Sequence, residues 1–463
     1  MLFRNKREIT AIIALFIFSN AIFLNFYNDV WWDSSVYIGM GKHILSGGKS
    51  GLWEESRPLI LPSILGIGWA LGFNVVYFGR ITSIVFSVLS IFVVYKIGIR
   101  LFSKKTALLA AFFIAFSYTF LFFSSNILTE IHSAFFILLA FYFFIEERHF
   151  LMGLFSGIAV MTRIFHAFAL IGLFLVFFVY YFRKQGFTKK IFYVALGALL
   201  LIAPYSLLNY YLYNDVLLPF KVQSHLTKTT GWELYKEGWF YFTGLLKENF
   251  FILALLFTPF FFKKDHKFYS LALIPLVYVI IFSFVKHKEM RYMIVVLPFI
   301  YLLVAHSLEQ IYAKIKNKHI ATEFFYVLVA FWLLMTFSAF RDGVSYQQQR
   351  DDEGLLYMQA YIKNQSGNIW VTNPLYALYS NNNIEGLLYF YSSDNLIQFI
   401  DKNKNEVDIV FFNECDIRCP PEELDSLCGE SRKILSKVLS NFHKLQEKEA
   451  NQCKYQIYKR SIS

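Results

Sequence analysis

The sequence predicts a polytopic α-helical membrane protein with a small α/β domain at its C-terminal end. Three observations predict this. Of 463 residues, 56% are hydrophobic and 17% charged, where an ordinary soluble domain carries about 25% charged residues. The apolar residues gather in runs of about 15 to 25, enough to cross the hydrocarbon core of a bilayer. From Arg341 onward those runs shrink to strand length, and Asn, Asp, Lys and Glu become common. The net charge of +11 does not point to nucleic acid, because Lys and Arg cluster at the ends of the apolar runs, where they act as topology signals.

About eleven spans are predicted, near 9–27, 75–99, 106–123, 126–145, 150–162, 164–182, 190–212, 249–262, 268–285, 292–312 and 320–340. The first follows Arg4, Lys6 and Arg7. It is long for a signal peptide and has no small-residue cleavage site, so it reads as an uncleaved span. With the N-terminus cytoplasmic, the basic loops at Arg100 to Lys105, Arg148, Arg183 to Lys190, Lys263 to Lys267 and Lys314 to Lys318 fall inside. Loops 28–74, 213–248 and 286–291 and the tail then fall outside the cytoplasm. Parity depends on 150–182, which Arg163 and His166 interrupt. A charged residue deep in a lipid-facing helix is costly, so two helices meeting at Arg163 near the outer face are predicted. In the first outer loop, 33–45 reads as a surface helix. The stretch 58–73, short and interrupted by Pro62, reads as an interfacial or re-entrant piece.

Two domains follow: 1–340 in the membrane and 341–463 outside it. In the tail, 368–372, 407–412 and 455–459 read as strands, and 355–363, 394–401 and 431–448 as helices. All four cysteines lie here, Cys415, Cys419, Cys428 and Cys453. An even set in a domain placed outside the cytoplasm fits disulfide bonding, with three pairings open, and the spacing matches no zinc pattern. Asn364-Gln365-Ser366 is a glycosylation sequon.

Ionisable residues collect at one face of the predicted topology. The first outer loop holds Asp29, Asp33, Glu54, Glu55 and Arg57. Glu130 and His132 stand at the start of the fourth span, and Arg163 and His166 between the fifth and sixth. Lys286-His287-Lys288-Glu289-Met290-Arg291-Tyr292 precede the tenth. A solvated loop charge accounts for any of these taken singly. It does not account for Glu130, about one turn inside an apolar helix, where acids are functional or paired. The 54 Phe fill lipid-facing surface, and Trp31, Trp32, Trp53, Trp232 and Trp239 read as interfacial aromatics.

This layout resembles the GT-C glycosyltransferases, polytopic enzymes that transfer sugar from a polyprenyl-phosphate carrier at the outer or lumenal face. Trp32-Asp33 with Tyr37 looks like the family's first-loop acid and downstream aromatic. Glu54-Glu55-Ser56-Arg57-Pro58 looks like the Glu-x-x-Arg-Pro stretch of archaeal and bacterial members. Asn126 to Glu130 and Met161-Thr162-Arg163 look like the acid of the fourth span and the Thr-Arg of the fifth. His287-Lys288-Glu289-Met290-Arg291-Tyr292 is similar to the His-Lys-Glu-x-Arg-Phe motif of the lumenal mannosyltransferases. The chain also resembles the lipid A aminoarabinose transferases. Ser34 stands where many members carry a second acid, and no metal or other cofactor is read from the sequence.

The resemblance implies a GT-C fold and transfer of a hexose, mannose in the mannosyltransferases that share the motif. The donor would be a dolichyl- or undecaprenyl-phosphate sugar, and the acceptor a glycan, glycolipid or protein. An inverting transfer needs a base for the attacking hydroxyl, and Asp33 is the candidate. Guanidinium and ammonium groups suit the leaving phosphate, which singles out Arg57, Arg163, Lys288 and Arg291, with His166 as a further donor. Glu54, Glu130, His287, Glu289 and Tyr292 are candidates for sugar or acceptor binding. The rival reading, a transporter or flippase of lipid-linked sugars, predicts paired interrupted helices in two matching halves, and the sequence has no such repeat.

Overall fold

The structure, a computed structural model, describes residues 7–26, 30–182, 184–229, 234–261, 265–348, 353–362, 365, 367–388, 393–416, 419, 426, 428–450 and 452–460. Arg4, Lys6, Asp29, Arg183, Trp232, Lys263, Lys264, Asn364 and Ser366 lie outside the described residues.

Six helices among the described residues are long and apolar enough to cross a membrane: Arg7–Asn25, Val75–Leu101, Ile164–Tyr181, Phe187–Tyr213, His266–Phe284 and Lys318–Gly343. A bent pair, Phe240–Glu248 with Phe250–Phe261, makes a seventh if counted as one span. Shorter apolar helices run over Ile60–Ala70, within the stretch 58–73 read as interfacial or re-entrant, and over Thr129–Ile145 and His149–Thr162; Lys104–Phe116 and Leu297–Lys314 are further apolar helices. The predicted run 106–123 is broken at Ser117, whose extended backbone separates Lys104–Phe116 from Tyr118–Phe123. The run 249–262 is a 3-10 helix containing Pro259, a residue that removes a helical donor.

The chain divides into two compact units. The first comprises Met1–Asp29, Arg80–Leu208 and Lys236–Gln348, and the elements among its described residues are helices. One contact shows how its helices approach so closely. A Cβ built on Gly153 would lie 2.0 Å from the Val194 carbonyl oxygen, and one on Gly157 would lie 2.8 Å from that of Ala198. Two glycines four residues apart on His149–Thr162 therefore let the backbone of Phe187–Tyr213 come close, the small-xxx-small device of membrane helix packing.

The second unit comprises Val30–Gly79, Asn209–Tyr235 and Gln349–Ser463. Its centre is a six-stranded sheet of order β1-β3-β2-β4-β6-β5, with β1 at Gly51–Leu52, β2 at Ile369–Val371, β3 at Asn383–Leu387, β4 at Ile409–Asn413, β5 at Phe442–Ala450 and β6 at Cys453–Arg460. The first four strands in that order pair parallel, and β4, β6 and β5 pair antiparallel. The period-two alternation of strands sorts the core into two faces. Ile369, Val371, Ile409 and Phe411 pack with Val36 and Met40 of helix Trp32–Leu45 and with Met358 and Ile362 of helix Glu353–Ile362. Trp370 and Val410 pack on the other face with Ile400, Leu435 and Leu439, from helices Ser393–Asn403 and Cys428–Leu439.

Two features of this unit were not expected. The first outer loop contributes a strand, β1, to the tail's sheet. It is anchored by Lys42, whose ammonium donates to the carbonyls of Ala377 at 2.7 Å, Ser380 at 3.0 Å and Leu378 at 3.1 Å. Burial draws this Lys down to about 8. The helix predicted over 431–448 ends at Leu439. Its second half is β5, held by the antiparallel ladder to β6, so tertiary pairing overrides a Lys- and Glu-rich pattern that favours helix. The cysteines pair as Cys415–Cys453 and Cys419–Cys428.

Candidate active site

In the first unit, three sequence-distant segments bring the motif residues together. Helix His149–Thr162 stops where Arg163 turns extended, at φ −155° and ψ 114°, and a 3-10 turn at Ile164–His166 restarts the chain. The break predicted at Arg163 is present, and it frees the guanidinium from the apolar helix. Helix Thr129–Ile145 carries Glu130 in its first turn, fully buried. The segment before the 3-10 helix Met290–Val295 supplies His287, Lys288 and Glu289.

Arg163 Nη1 lies 3.1 Å from Glu130 Oε1 and donates to Thr129 Oγ1 at 2.9 Å. Arg291 Nε lies 3.6 Å from the same Glu130 oxygen, while its Nη2 donates to Glu289 Oε1 at 2.7 Å. That Glu289 oxygen also accepts from Tyr292 OH at 3.0 Å and lies 3.0 Å from His287 Nε2. Burial raises the Glu289 carboxyl, but the Arg291 guanidinium and the His287 contact outweigh it and hold the group at about 2. The Tyr292 ring centroid lies 5.3 Å from Arg163 Cζ and 5.5 Å from Arg291 Cζ, so one aromatic ring is within cation–π reach of both guanidiniums. Tyr278 OH steadies this residue by donating to its carbonyl at 3.1 Å. Two guanidiniums thus stand together in an apolar protein, offset by two carboxylates. Such forks are suited to a phosphate.

Two candidates of the same segments lie beside this arrangement without hydrogen-bonding into it. Lys288 is buried, and its ammonium donates to the carbonyls of Lys236, at 2.9 Å, and Val285. The ammonium ties loop backbone together, and burial lowers its pKa. His166 is fully buried, its ring 6.3 Å from that of Tyr278, and neither ring nitrogen completes a hydrogen bond.

In the second unit a separate cluster forms around Arg57. Its Nη2 donates to Asp33 Oδ1 at 2.7 Å, its Nε to Glu54 Oε1 at 3.1 Å and its Nη1 to Tyr37 OH at 3.1 Å. Ser56 Oγ donates to the same Glu54 oxygen. Asp33 lies in the first turn of Trp32–Leu45, and the N-cap is Trp31, without a side-chain cap bond. Asp33 is therefore not the cap; it is a first-turn carboxylate, favoured there by the helix dipole and oriented by Arg57. Among the described residues no group of three or more His, Cys, Asp or Glu side chains has the arrangement of a metal site.

Sequence reasoning singled out Asp33, Glu54 and Arg57, and Glu130, Arg163, Glu289 and Arg291, without knowing which would pair. It missed Thr129 and Tyr278. The signal for Thr129 was its place beside Glu130 at a helix start. Nothing local marked Tyr278.

The fold matches solved structures over almost the whole chain. ArnT from Cupriavidus metallidurans, solved with bound undecaprenyl phosphate, superposes with a TM-score of 0.68 at 11% identity, covering 99% of each chain. The oligosaccharyltransferase AglB of Archaeoglobus fulgidus, in complex with an inhibitory peptide and a dolichol-phosphate, gives 0.57 at 12% identity over 97% of this chain and 74% of AglB. The mycobacterial arabinofuranosyltransferase AftD gives 0.56 at 11% identity over 99% of this chain and 40% of AftD. No curated protein sequence matches significantly. The fold is that of the GT-C glycosyltransferases, an integral, multi-pass membrane architecture with a sheet-containing C-terminal region. Within that class the chain belongs to the Alg9-like mannosyltransferase family, whose model matches residues 6–378, and it is a glycosyltransferase.

Proposed function

We propose that the protein transfers a hexose, mannose by its family, from a polyprenyl-phosphate donor to a glycan, glycolipid or protein acceptor outside the cytoplasm, with inversion at the anomeric carbon. The observation that carries this reading is the pair of guanidiniums, Arg163 and Arg291, meeting at the buried Glu130. A lipid phosphate leaving from a sugar gains negative charge as the bond breaks. Fixed, desolvated cations stabilise that charge more in the transition state than in the ground state. ArnT and AglB, with the same fold, were solved with undecaprenyl phosphate and dolichol-phosphate, which supports a prenyl phosphate as the carrier here.

In the proposed reaction an acceptor hydroxyl oxygen forms a bond to the anomeric carbon as the bond from that carbon to the phosphate oxygen breaks. The electron pair leaves with the lipid phosphate, held by Arg163 and Arg291. The hydroxyl proton passes to Asp33. Arg57 holds one oxygen of Asp33 and with Tyr37 and Glu54 fixes its direction. Single displacement inverts the centre. Glu130 and Glu289 keep the two guanidiniums in place between turnovers. Lys288, with its ammonium on backbone carbonyls, shapes the loop. The prenyl chain stays in the bilayer beside the helices.

The test is Asp33→Asn in membranes supplied with polyprenyl-phosphate hexose and the cell's own acceptors. Asparagine keeps the hydrogen bond to Arg57 and cannot take up a proton at neutral pH. Transfer should fall by at least 100-fold, on the order of general-base catalysis, with the protein still inserted and binding donor. Transfer near the original rate would remove Asp33 as the base.

A further inference from the structure

The tail holds a cavity of about 520 Å³ between one face of the sheet and helix Cys428–Leu439, inside the range of about 300 to 1,000 Å³ typical of small-molecule sites. Its lining follows from strand alternation. Phe412 and Tyr458 belong to the sheet face that packs with Trp370 and Val410. Gln456, the next residue of β6 on that face, and Glu414, just past the end of β4, line the cavity with them. The helix supplies Arg432, Leu435, Ser436 and Leu439. Two disulfides brace the walls. Cys419–Cys428 fastens the start of the helix, and Cys415–Cys453 ties the residue after Glu414 to the start of β6. Walls braced in this way lose little freedom when a ligand binds.

The polar groups of the lining define the ligand. Tyr458 OH donates to Gln456 Oε1 at 2.8 Å, and Gln456 Nε2 donates to Glu447 Oε2 at 2.8 Å. This chain fixes the phenol and the amide, and it leaves one amide N–H and a lone pair of the phenol oxygen for a ligand. The side chains of Glu414, half-buried, and Arg432, exposed, make no hydrogen bond or ion pair with any described residue. A carboxylate that only accepts and a guanidinium that only donates thus border one cavity. An anion there is opposed by Glu414 and a cation by Arg432, so the lining favours a ligand without net charge. A sugar hydroxyl both donates and accepts, so neighbouring hydroxyls can donate to Glu414 and accept from Arg432. The apolar C–H face of the ring is matched by Phe412, Tyr458 and Leu435, aromatic and aliphatic groups of the kind that line small-molecule pockets.

We propose that this cavity binds a neutral sugar ring of a glycan-bearing acceptor. It is separate from the Asp33 cluster, because helix Trp32–Leu45, which carries Asp33, packs on the opposite face of the same sheet. The cavity residues therefore hold the glycan away from the bond being made. A second point of attachment raises the effective concentration of the acceptor at the transfer site. That lowers the acceptor KM and leaves the chemical step as it is. The choice of a sugar follows from the lining, and the acceptor role rests on the reading given under Proposed function.

Saturation-transfer NMR on the full-length, detergent-solubilised protein tests the site, with a free mannose-containing oligosaccharide as the probe. Wild type and Asp33→Asn should bind it alike. Arg432→Ala and Glu414→Ala should each weaken binding on the order of tenfold, the loss of one hydrogen bond to a charged group, with thermal stability held. No binding to the wild type, wild-type binding in both variants, or displacement of the probe by inorganic phosphate or by glycine would overturn the site. In transfer to the cell's own acceptor, Arg432→Ala should raise the acceptor KM on the order of tenfold while kcat and the donor KM hold. An unchanged acceptor KM would overturn the acceptor role. If the wild-type protein transfers no hexose from polyprenyl-phosphate donors, the functional reading fails by itself, and the binding measurements still decide the sugar site.

Discussion

Replacing Glu289 with glutamine keeps the size of the side chain and removes its charge. In the native protein one oxygen of Glu289 meets Arg291 at 2.7 Å, Tyr292 at 3.0 Å and His287 at 3.0 Å, and the side chain is 16% exposed. Burial works against the charged form and the Arg291 guanidinium works for it more strongly, so the group sits at about 2 in place of the usual 4.5. A carboxylate lowered in the fold stabilises it fully above the unfolded value, and the contribution disappears as pH falls through the folded one. The lowering corresponds to about 3 kcal/mol at neutral pH. Roughly 2 kcal/mol of that is gone by pH 3. Glu289→Gln should therefore lower the apparent Tm of the detergent-solubilised protein at pH 7 by a few degrees. The gap between variant and wild type should narrow steadily below pH 4.5. The assay is thermal unfolding of both proteins from pH 7 down to pH 3. Equal stability at pH 7, or a gap that stays constant on acidification, would refute the claim that the Glu289 charge holds Arg291 in place.

Two further outcomes are expected. Arg163→Lys and Arg291→Lys keep the charge and lose the fork that reaches two partners at once, so each should lose transfer activity by about tenfold or more while abundance holds; full activity in both would remove them from the phosphate site. All four cysteines should resist alkylation under denaturing, non-reducing conditions. Removing Cys415–Cys453, which spans 38 residues, should cost about 1 kcal/mol more than removing Cys419–Cys428, which spans 9, as read by unfolding of the paired serine variants.

Much of the fold is legible in the sequence because a bilayer leaves few choices. Backbone groups in lipid must be satisfied within a helix, so each long apolar run becomes one. The break at Arg163 was legible for a related reason: a guanidinium in the middle of an apolar run is stable only where the helix stops or faces protein. The break at Ser117, inside the predicted span 106–123, was not legible. Serine does not forbid helix, and the residue that Thr119 bonds just after the break, Glu248, is 129 positions away in the sequence. β1 was hidden because a two-residue strand in parallel pairing with β3 has no periodicity of its own. β5 was misread because His443 to Glu449 carry helix-favouring Lys, Glu and Gln, and an exposed edge strand tolerates the same residues.

The candidate site was legible in composition more than in pairing. Charge stranded near apolar helices singled out Glu130, Arg163 and Arg291. What the sequence could not convey was where each charge is spent. Arg57, read as a phosphate ligand, holds Asp33, Tyr37 and Glu54. Lys288, read the same way, holds two loop carbonyls. Lys42, on the face of an apparently interfacial helix, drew no notice, yet it fastens that helix to three carbonyls of the tail. In each case the partner is a backbone or side-chain group that only the tertiary fold brings near.

The central proposal is that this glycosyltransferase adds a hexose from a polyprenyl-phosphate carrier to a glycan, glycolipid or protein acceptor outside the cytoplasm. The most direct measurement is the mass of the cell's lipid-linked and acceptor-bound glycans with the gene intact, deleted, and restored as wild type or as the Asp33→Asn variant. The account predicts that deletion leaves a glycan short by one hexose, that the polyprenyl-phosphate hexose donor accumulates, and that wild type but not Asp33→Asn restores the missing sugar. Glycans of unchanged mass in the deleted strain, or full restoration by Asp33→Asn, would contradict it.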